Sequence, residues 1–596
     1  MIRSRAAGPR TSFDRSAALT RLAGEHFDVL VIGGGITGAG IALDAAARGL
    51  RTALVERADF GSGTSSRSSK LVHGGLRYLQ QREFRLVYEG IGERQHLLEN
   101  APHLVSPLPF LIPILGRGGL AGHSLARLYS VALWQYDLTG GVRIGRRHRR
   151  VSRDEALRDL PCLDVDRLVA GFVYWDAHAD DARLTLTVIR TAVLGYGAVA
   201  ANYAPVVGLL TGPGTGPKGG DRIAGARLED GTEIRAEIVV NATGVWSDHV
   251  RAMVDEPSLD APAATTGTAA TASTGTAVSA ASIRPAKGIH LTFPAERLPA
   301  KVAAVLPVPG DRRSIFVIPW GRFTYAGTTD TDYDGPLDDP EPTPADVAYV
   351  LDALNGSLTT ELTAADVVAT WAGLRPLVRA ATDQRTADLS RRHQVTMSPQ
   401  GLVSITGGKL TTYRAMAADA MEMVVEHLGR GARRSPTKHL KLVGAEGCEA
   451  LGSRDAARRL GVDHATLAHL AGRYGTEART VIAIMEADPE LAQPMLPGLP
   501  YLRAEAVYGV RYEMAWTLDD VMARRTRALF LDQEVAAGAA LTVARLVAPE
   551  LGWSARRSER EAAGVRASIE RSRAAAGLGV AKCEPAPASV APKQGS

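Results

Sequence analysis

Between Phe27 and Glu56 the chain admits few folds. An apolar run, Phe27-Asp-Val-Leu-Val-Ile32, breaks at Gly33-Gly-Gly35 and gives way to an alanine-rich amphipathic segment. A second apolar run, Thr52-Ala-Leu-Val55, then ends in an acid, Glu56. This order predicts a strand, a glycine turn, a helix and a parallel strand. Gly33 allows the tight turn, Gly35 lets backbone approach a pyrophosphate, and Gly38 lets the helix pack closely on the strand. The helix N-terminus offers unpaired N–H groups and a partial positive charge to phosphates. Glu56 lies 18 residues past Gly38, where a carboxylate can accept the hydroxyls of an adenosine ribose. A glycine-rich turn without a ligand is the alternative, and the complete pattern disfavours it.

At 596 residues the chain exceeds one ordinary core, so two or three domains are expected. Hydrophobic residues at 45% and charged residues at 22% describe a folded globular chain rather than a disordered one. The formal charge of +5 is small for this length and selects no acidic partner. Arginine-rich patches occur at 143–150 and 556–573; they read as solvated faces or as contacts with anionic lipid headgroups. Neither carries a nucleic-acid motif, so no nucleic-acid partner is expected. Cys162, Cys448 and Cys583 form no CxxC pair, which argues against a disulfide framework or structural zinc. The basic N-terminus lacks an apolar core of about 7–15 residues, and no segment reaches the roughly 18 apolar residues needed to span a bilayer.

The pattern divides the chain into a flexible lead (1–25), an α/β region opening on the dinucleotide unit (26–434), a helical domain (435–575) and a disordered tail (576–596). Residues 80–100 carry a helical periodicity that ends before Pro102. Residues 104–180 show short apolar runs broken by proline and glycine. A helix is expected over 182–195, a strand over 198–207, and a hairpin over 223–240 whose buried second strand enters Ala242-Thr-Gly244. The Ala/Thr/Ser/Gly tract at 257–282 cannot bury enough apolar surface to order itself and reads as a loop insertion. Strands recur from Lys287 to Tyr333, a helix falls within 334–356, and a strand at 401–406 enters Gly407-Gly-Lys-Leu-Thr-Thr-Tyr413 before a helix at 414–428.

The glycine fingerprint alone does not separate NAD from FAD. Ala242-Thr-Gly244 ends a buried strand in a small-residue turn where backbone can meet a cofactor. Gly407, Gly408 and Thr411 lie in a loop opening a helix, whose N–H groups can face a flavin pyrimidine. With the first βαβ unit, these segments resemble the FAD-dependent D-amino acid oxidase-like superfamily. The resemblance sharpens at Thr64-Ser-Ser-Arg-Ser-Ser-Lys-Leu-Val-His-Gly-Gly-Leu-Arg-Tyr-Leu79, Trp175-Asp-Ala-His-Ala-Asp-Asp-Ala-Arg-Leu184, Ile318-Pro-Trp320, Gly327-Thr-Thr-Asp330 and Gly373-Leu-Arg-Pro376. With Tyr508-Gly-Val-Arg-Tyr-Glu-Met514 and Leu518-Asp-Asp-Val-Met-Ala-Arg-Arg-Thr-Arg527, the chain is similar to the aerobic, FAD-dependent glycerol-3-phosphate dehydrogenase family. It departs from that family in the 257–282 insertion and in both tails.

The resemblance implies a fold that is part α/β and part α+β: a Rossmann-like FAD-binding domain interleaved with a mixed-sheet substrate domain, plus a C-terminal all-α domain. It implies FAD as cofactor and oxidation of sn-glycerol 3-phosphate to dihydroxyacetone phosphate. That reaction needs a held phosphate dianion, an aimed C2 hydrogen and a base for the C2 hydroxyl. Arg77, Arg375 and Lys409 sit in matching segments and suit phosphate holding; a structural salt bridge is the alternative for each. His73 is the candidate base, since neighbouring cations keep an imidazole neutral and able to take a proton near pH 7. The alternative is a histidine bonded within its loop that shapes the flavin pocket. The same resemblance places Ser68, Ser69 and Lys70 at the cofactor, with Tyr78 a weaker candidate for flavin or substrate.

No metal set stands out in the sequence. His178, Asp180 and Asp181 read as a turn capping the following helix. Respiratory quinone is the implied acceptor, which would place the protein peripherally on the inner face of the cell membrane. Leu120–Leu133 and Ala536–Leu551 are apolar runs that could touch lipid there. A homodimer is compatible with the sequence. An oxidase of the same substrate releasing hydrogen peroxide, and more distantly an amino-acid oxidase, are the rival enzymes; a flavin-binding scaffold without turnover is the non-enzymatic one.

Overall fold

The computed structural model describes residues 13–75, 83–116, 130–137, 144–213, 221–254, 283–311, 313–378, 393–429, 431 and 433–579. Arg77, Tyr78, Cys583 and the tract 257–282 lie outside the described residues.

The first sheet grows from the glycine fingerprint. Its central strand, His26–Ile32, is apolar and buried from Phe27 onward, as a strand covered on both faces must be. It pairs in parallel with Thr52–Val55 on one side and Glu233–Asn241 on the other, with Val31 opposite both Leu54 and Val240. Val403–Thr406 adds in parallel beyond Glu233–Asn241, with Val403 opposite Val240. Three parallel neighbours therefore release their loops, 33–35, 242–244 and 407–409, at one edge of the sheet. The carboxyl edge of such a sheet is where open α/β folds bind ligands. The helix Ile36–Ala47 packs between this sheet and the helices Asp181–Tyr196 and Tyr413–Leu428.

The second sheet is mixed. Ile283–Pro294 runs antiparallel to Ala369–Val378, with Ala286 opposite Arg375, and to Phe323–Gly327 on its other edge. Val105–Leu115 and Leu168–Ala179 form a long antiparallel pair in the same sheet. The sequence pattern predicted only short broken runs here, because Val105–Leu115 contains Pro107, Pro109 and Pro113. All three share one parity, so their missing N–H groups fall on the same edge and leave the other edge free to pair.

From Thr437 onward the described elements are helical apart from an isolated bridge between Pro494 and Leu502. The helices Gln533–Leu551 and Ala555–Ala575 pack on one another, burying Ala540, Val543, Ala544 and Val547 with Val565 and Ile569. The apolar face of Ala536–Leu551 is thus the core of this region and not a lipid contact. Three further expectations change. Residues 15–24 of the supposed flexible lead form a helix, Arg15–Gly24, with Leu22 fully buried and Arg15 Nε donating to Asn202 O at 2.9 Å. Residues 576–579 of the supposed disordered tail are placed, with Ala576 and Leu578 buried. The strand expected over 198–207 splits into Val199–Ala201 and Val206–Pro213. Asp180 caps the helix Asp181–Tyr196 by accepting from Arg183 N at 3.3 Å, as its spacing predicted.

Candidate active site

A cavity of about 770 Å³ opens along the carboxyl edge of the first sheet and extends onto the second. Gly33, Gly35, Glu56, Ser68, Ser69, Ala242, Gly244, Gly407, Gly408 and Thr411 line it, as do His73, Arg375 and Lys409. Segments from five stretches of chain are thereby brought to one wall system.

The nucleotide end fits a dinucleotide on its own geometry. A Cβ on Gly38 would lie 1.9 Å from Gly33 O, so only glycine lets the helix start this close beneath the turn. Glu56 accepts from Gly34 N at 2.7 Å and from Ala58 N at 2.9 Å. Burial raises its pKa and these N–H donors oppose the rise. Each carboxylate oxygen keeps a second lone pair, enough for two ribose hydroxyls. At the opposite end, Gly408 has φ +84° and its missing side chain leaves room for the Met416 thioether, 2.3 Å from where a Cβ would stand. This loop lines the cavity through Gly407, Gly408, Lys409, Leu410 and Thr411, just ahead of the helix Tyr413–Leu428.

Thr411 Oγ1 accepts from His73 N at 3.2 Å, which ties the base candidate's loop to the 407–412 loop 338 residues away. The His73 ring packs edge-on against Phe316, with centroids 6.1 Å apart. Arg375 donates to Asp330 Oδ1 at 3.2 Å, Thr328 Oγ1 at 3.1 Å and Thr329 O at 3.1 Å. Its side chain is 21% exposed on the cavity wall and oriented by these bonds.

Two sequence assignments shift. Gly38 is buried below the turn and does not line the cavity. Lys70 is also off the cavity wall: its ammonium lies 3.4 Å from Asp181 Oδ1 and 4.7 Å from the Trp371 ring centroid. Burial pushes its pKa down to about 8, against the opposing pull of Asp181. Lys70 therefore holds the loop from behind, bonding Ser66 O and Ser68 O as well as Asp181.

The structure also supplies residues that sequence reading passed over. His290, in the strand Ile283–Pro294, lines the cavity, stacks on Trp371 at 4.8 Å and bonds Ser69 Oγ through Nε2 at 2.8 Å. Burial, with Lys70 and Arg375 nearby, holds its pKa well below the ordinary value. Asp519 and Arg524, from the helical C-terminal region, complete the wall near the nucleotide end. They belong to a single π-helical turn, Asp520–Arg525, and its flank. Arg525 grips Asp59 through two bonds, 2.6 and 2.8 Å, and Arg524 Nε reaches the same carboxylate at 2.5 Å. Arg527 donates to Ser66 O and to Asp181 Oδ1, and Asp181 in turn accepts from Ser68 N and Oγ. The loop 59–70 is thus fixed by the C-terminal helices. The only sequence signal was the charged run Asp519–Arg527, quoted for its resemblance and given no role.

These buried pairs predict an acid limit. Burial alone would raise Asp59, yet Arg525 and Arg524 hold it down to about 2 from 3.8. Glu505 behaves alike, held to about 2 from 4.5 by His469 and Arg473 against its burial. A depressed folded pKa stabilises above the unfolded value, and that contribution disappears as pH falls toward the folded one. Thermal unfolding followed by flavin fluorescence should therefore show a steep loss of stability between pH 4.5 and about 2. A flat profile across that window would contradict the charged clamp.

Comparison with known proteins gives a consistent picture. The profile of the family described as "FAD dependent oxidoreductase" matches residues 28–414, and that of the "C-terminal domain of alpha-glycerophosphate oxidase" matches residues 435–558. The chain is 41% identical over 564 residues to "Glycerol-3-phosphate dehydrogenase 2" of Mycobacterium tuberculosis, covering 93% of this chain and 90% of that protein. It is 38% identical over 548 residues to the mitochondrial glycerol-3-phosphate dehydrogenase of Homo sapiens, covering 89% and 71%. Among solved structures, the glycerol-3-phosphate dehydrogenase from Bacillus halodurans complexed with FAD superimposes with a TM-score of 0.71 at 31% identity, covering 93% of this chain and 97% of that one.

Proposed function

The chain belongs to the FAD-dependent glycerol-3-phosphate dehydrogenase family, and from that premise we propose how its cavity oxidises sn-glycerol 3-phosphate to dihydroxyacetone phosphate. The observation that carries the reading is the convergence of His73, Arg375 and Lys409 on the wall of the cavity that holds the dinucleotide fingerprint.

Bound FAD supplies the acceptor for the hydride leaving C2. Gly33, Gly35 and the N-terminus of the helix Ile36–Ala47 hold its pyrophosphate, Glu56 its ribose, and the 407–411 loop the flavin end. Arg375 and Lys409 bind the substrate phosphate; a guanidinium already oriented by Asp330 and Thr328 loses little freedom when it does so. Arg77, which lies outside the described residues, is a third candidate for the phosphate on its motif alone. With the phosphate anchored, the C2 hydroxyl faces His73, whose neutral imidazole takes the hydroxyl proton as the C–H bond breaks. Ser68 and Ser69 line the same wall, Ser68 fixed by Asp181 and Ser69 by His290.

Anaerobic mixing of the flavin-loaded protein with sn-glycerol 3-phosphate should bleach the oxidised-flavin absorbance, and glycerol should not. Arg375→Ala should raise the substrate concentration needed by about 10–100-fold, the worth of a charge-assisted bond to phosphate. Bleaching by amino acids instead would overturn the substrate assignment.

Electrons leave the reduced protein to a membrane quinone, and the protein works from a peripheral position on the inner face of the cell membrane. Among the described residues no helix is long and apolar enough to cross a membrane. Support for surface contact comes from residues 130–150. Trp134 and Val131 are 50% and 66% exposed, and Trp134 packs edge-on against His148 within the exposed run Arg146, Arg147, Arg149 and Arg150. An exposed indole beside clustered arginines suits an anionic headgroup layer. Of the apolar run Leu120–Leu133, residues 120–129 lie outside the described set and Leu133 is buried. The protein should cosediment with anionic liposomes and be released by high salt, and Trp134→Ser should weaken that binding. Rapid oxygen consumption with stoichiometric peroxide, unaffected by added quinone, would identify oxygen as the acceptor instead.

A further inference from the structure

We propose that His96, Glu99 and His439 form a binding site for one divalent ion of the zinc type, clipping the start of the helical C-terminal region onto the helix Phe84–Asn100. No local spacing announces this set, because its third member lies 340 residues beyond Glu99. One donor atom from each of the three side chains lies within 4.8 Å of the others.

The geometry follows from the two backbones. His96 and Glu99 are three residues apart on the helix Phe84–Asn100, so their side chains share a face. His439 ends the short turn Thr437–His439, and its ring stands edge-on to His96 with centroids 5.6 Å apart at 86°. The frame beneath is rigid. Asn100 Nδ2 donates to Thr437 O at 3.0 Å and Lys438 O at 3.2 Å, and Leu442 N donates to Asn100 O at 2.9 Å. The buried pair Arg414–Glu93 braces the same junction, with Arg414 also donating to Thr437 Oγ1 at 3.4 Å.

The side chains themselves are available. His96 Nδ1 is enclosed and takes no hydrogen bond. Gln95 Nε2 bonds only one oxygen of Glu99, at 2.7 Å. Glu99 and His439 are exposed, so an ion can enter from solvent. Lys441 donates to Glu99 O, and Arg414 is paired with Glu93.

Two imidazoles and one carboxylate select Zn²⁺, Co²⁺ or Ni²⁺ over the oxygen-seeking Ca²⁺ and Mg²⁺. Zinc–ligand bonds near 2.0–2.1 Å place ligand atoms about 3.3 Å apart, so modest side-chain rotation closes the set and leaves a fourth position for water. The ion would stabilise the junction between the two regions and stand apart from the substrate cavity, whose wall includes none of the three residues.

Untagged, flavin-loaded protein washed with chelator should be titrated with Co²⁺. The expected result is the visible absorption of low-coordinate Co²⁺, red of the flavin, saturating at one ion per chain and displaced by Zn²⁺. Thermal unfolding should rise by a few degrees with Zn²⁺ and stay unchanged with Mg²⁺. His439→Ala and Glu99→Gln should each weaken binding at least about tenfold, since even residues behind a metal ligand are worth that much. Both variants should bleach with sn-glycerol 3-phosphate as the parent does. Absence of saturable one-to-one Co²⁺ binding, or binding that survives His439→Ala unchanged, overturns the proposal.

Discussion

His73→Asn is expected to slow anaerobic flavin reduction by sn-glycerol 3-phosphate by about 10²–10⁴-fold, the usual worth of a positioned base, while FAD stays bound. His73 lines the cavity, and its backbone N–H donates to Thr411 Oγ1. The competing imidazole is His290, which lines the same cavity. Three features make it the poorer proton acceptor. It is 3% exposed, it stacks on Trp371, and Nε2 is committed to Ser69 Oγ. Burial, Lys70 and Arg375 all disfavour its charged form, so accepting a proton there is costly. His290→Asn should consequently give the smaller rate loss and a visible disturbance of the flavin spectrum. Stopped-flow bleaching of both variants decides the matter. A near-normal rate in His73→Asn beside a collapsed rate in His290→Asn would exchange their roles.

The second large effect lies far from the chemistry. Asp59→Ala should destabilise the protein by about 3–5 kcal/mol, because it leaves the buried Arg525 guanidinium without its bidentate partner. Asp59 is also on the cavity wall, so the same change should loosen the 59–70 loop and accelerate flavin release. A surface pair provides the control. Arg511–Glu550 is made at 2.6 Å but Arg511 is 46% exposed, and Arg511→Ala should cost about 0–1 kcal/mol. Thermal unfolding and flavin-release rates measured on both variants would test the contrast. Equal, small effects would show that the C-terminal helices do not hold the cofactor loop.

The parts legible in the sequence were those governed by neighbours in the chain. The strand–turn–helix–strand unit from His26 to Val55 was legible because two continuous apolar runs, an alanine-rich segment between them and a glycine turn are local signals. The helix Phe84–Asn100 and the loop 407–412 followed in the same way. Val105–Leu115 was missed because prolines ordinarily end strands, and their shared parity matters only once a partner strand is known. Residues 15–24 were read as a flexible lead because a ten-residue helix that buries only Ala18 and Leu22 carries little signal until it has a sheet to pack against.

The site divides along the same line. Motifs named His73, Arg375, Lys409 and the glycine loops; adjacent parallel strands of the first sheet release the glycine loops and Lys409, and the second sheet brings Arg375 and the segment after Leu71–Val72 to the same cavity. Lys70 was assigned to the cofactor from its motif alone, yet the fold turned it toward Asp181 beneath the loop.

What the sequence by itself determined is the dinucleotide unit and the family, since each rests on motifs whose residues lie close together in the chain; His73, Arg375 and Lys409 it named as candidates. Only the tertiary structure decided that His290 faces the same cavity as His73, that Asp519 and Arg524 reach across to close it, and that His96 and Glu99 meet His439. Those partners are separated by hundreds of residues. Strand register and helix docking, which depend on burying apolar area over the whole chain, fix which of them meet.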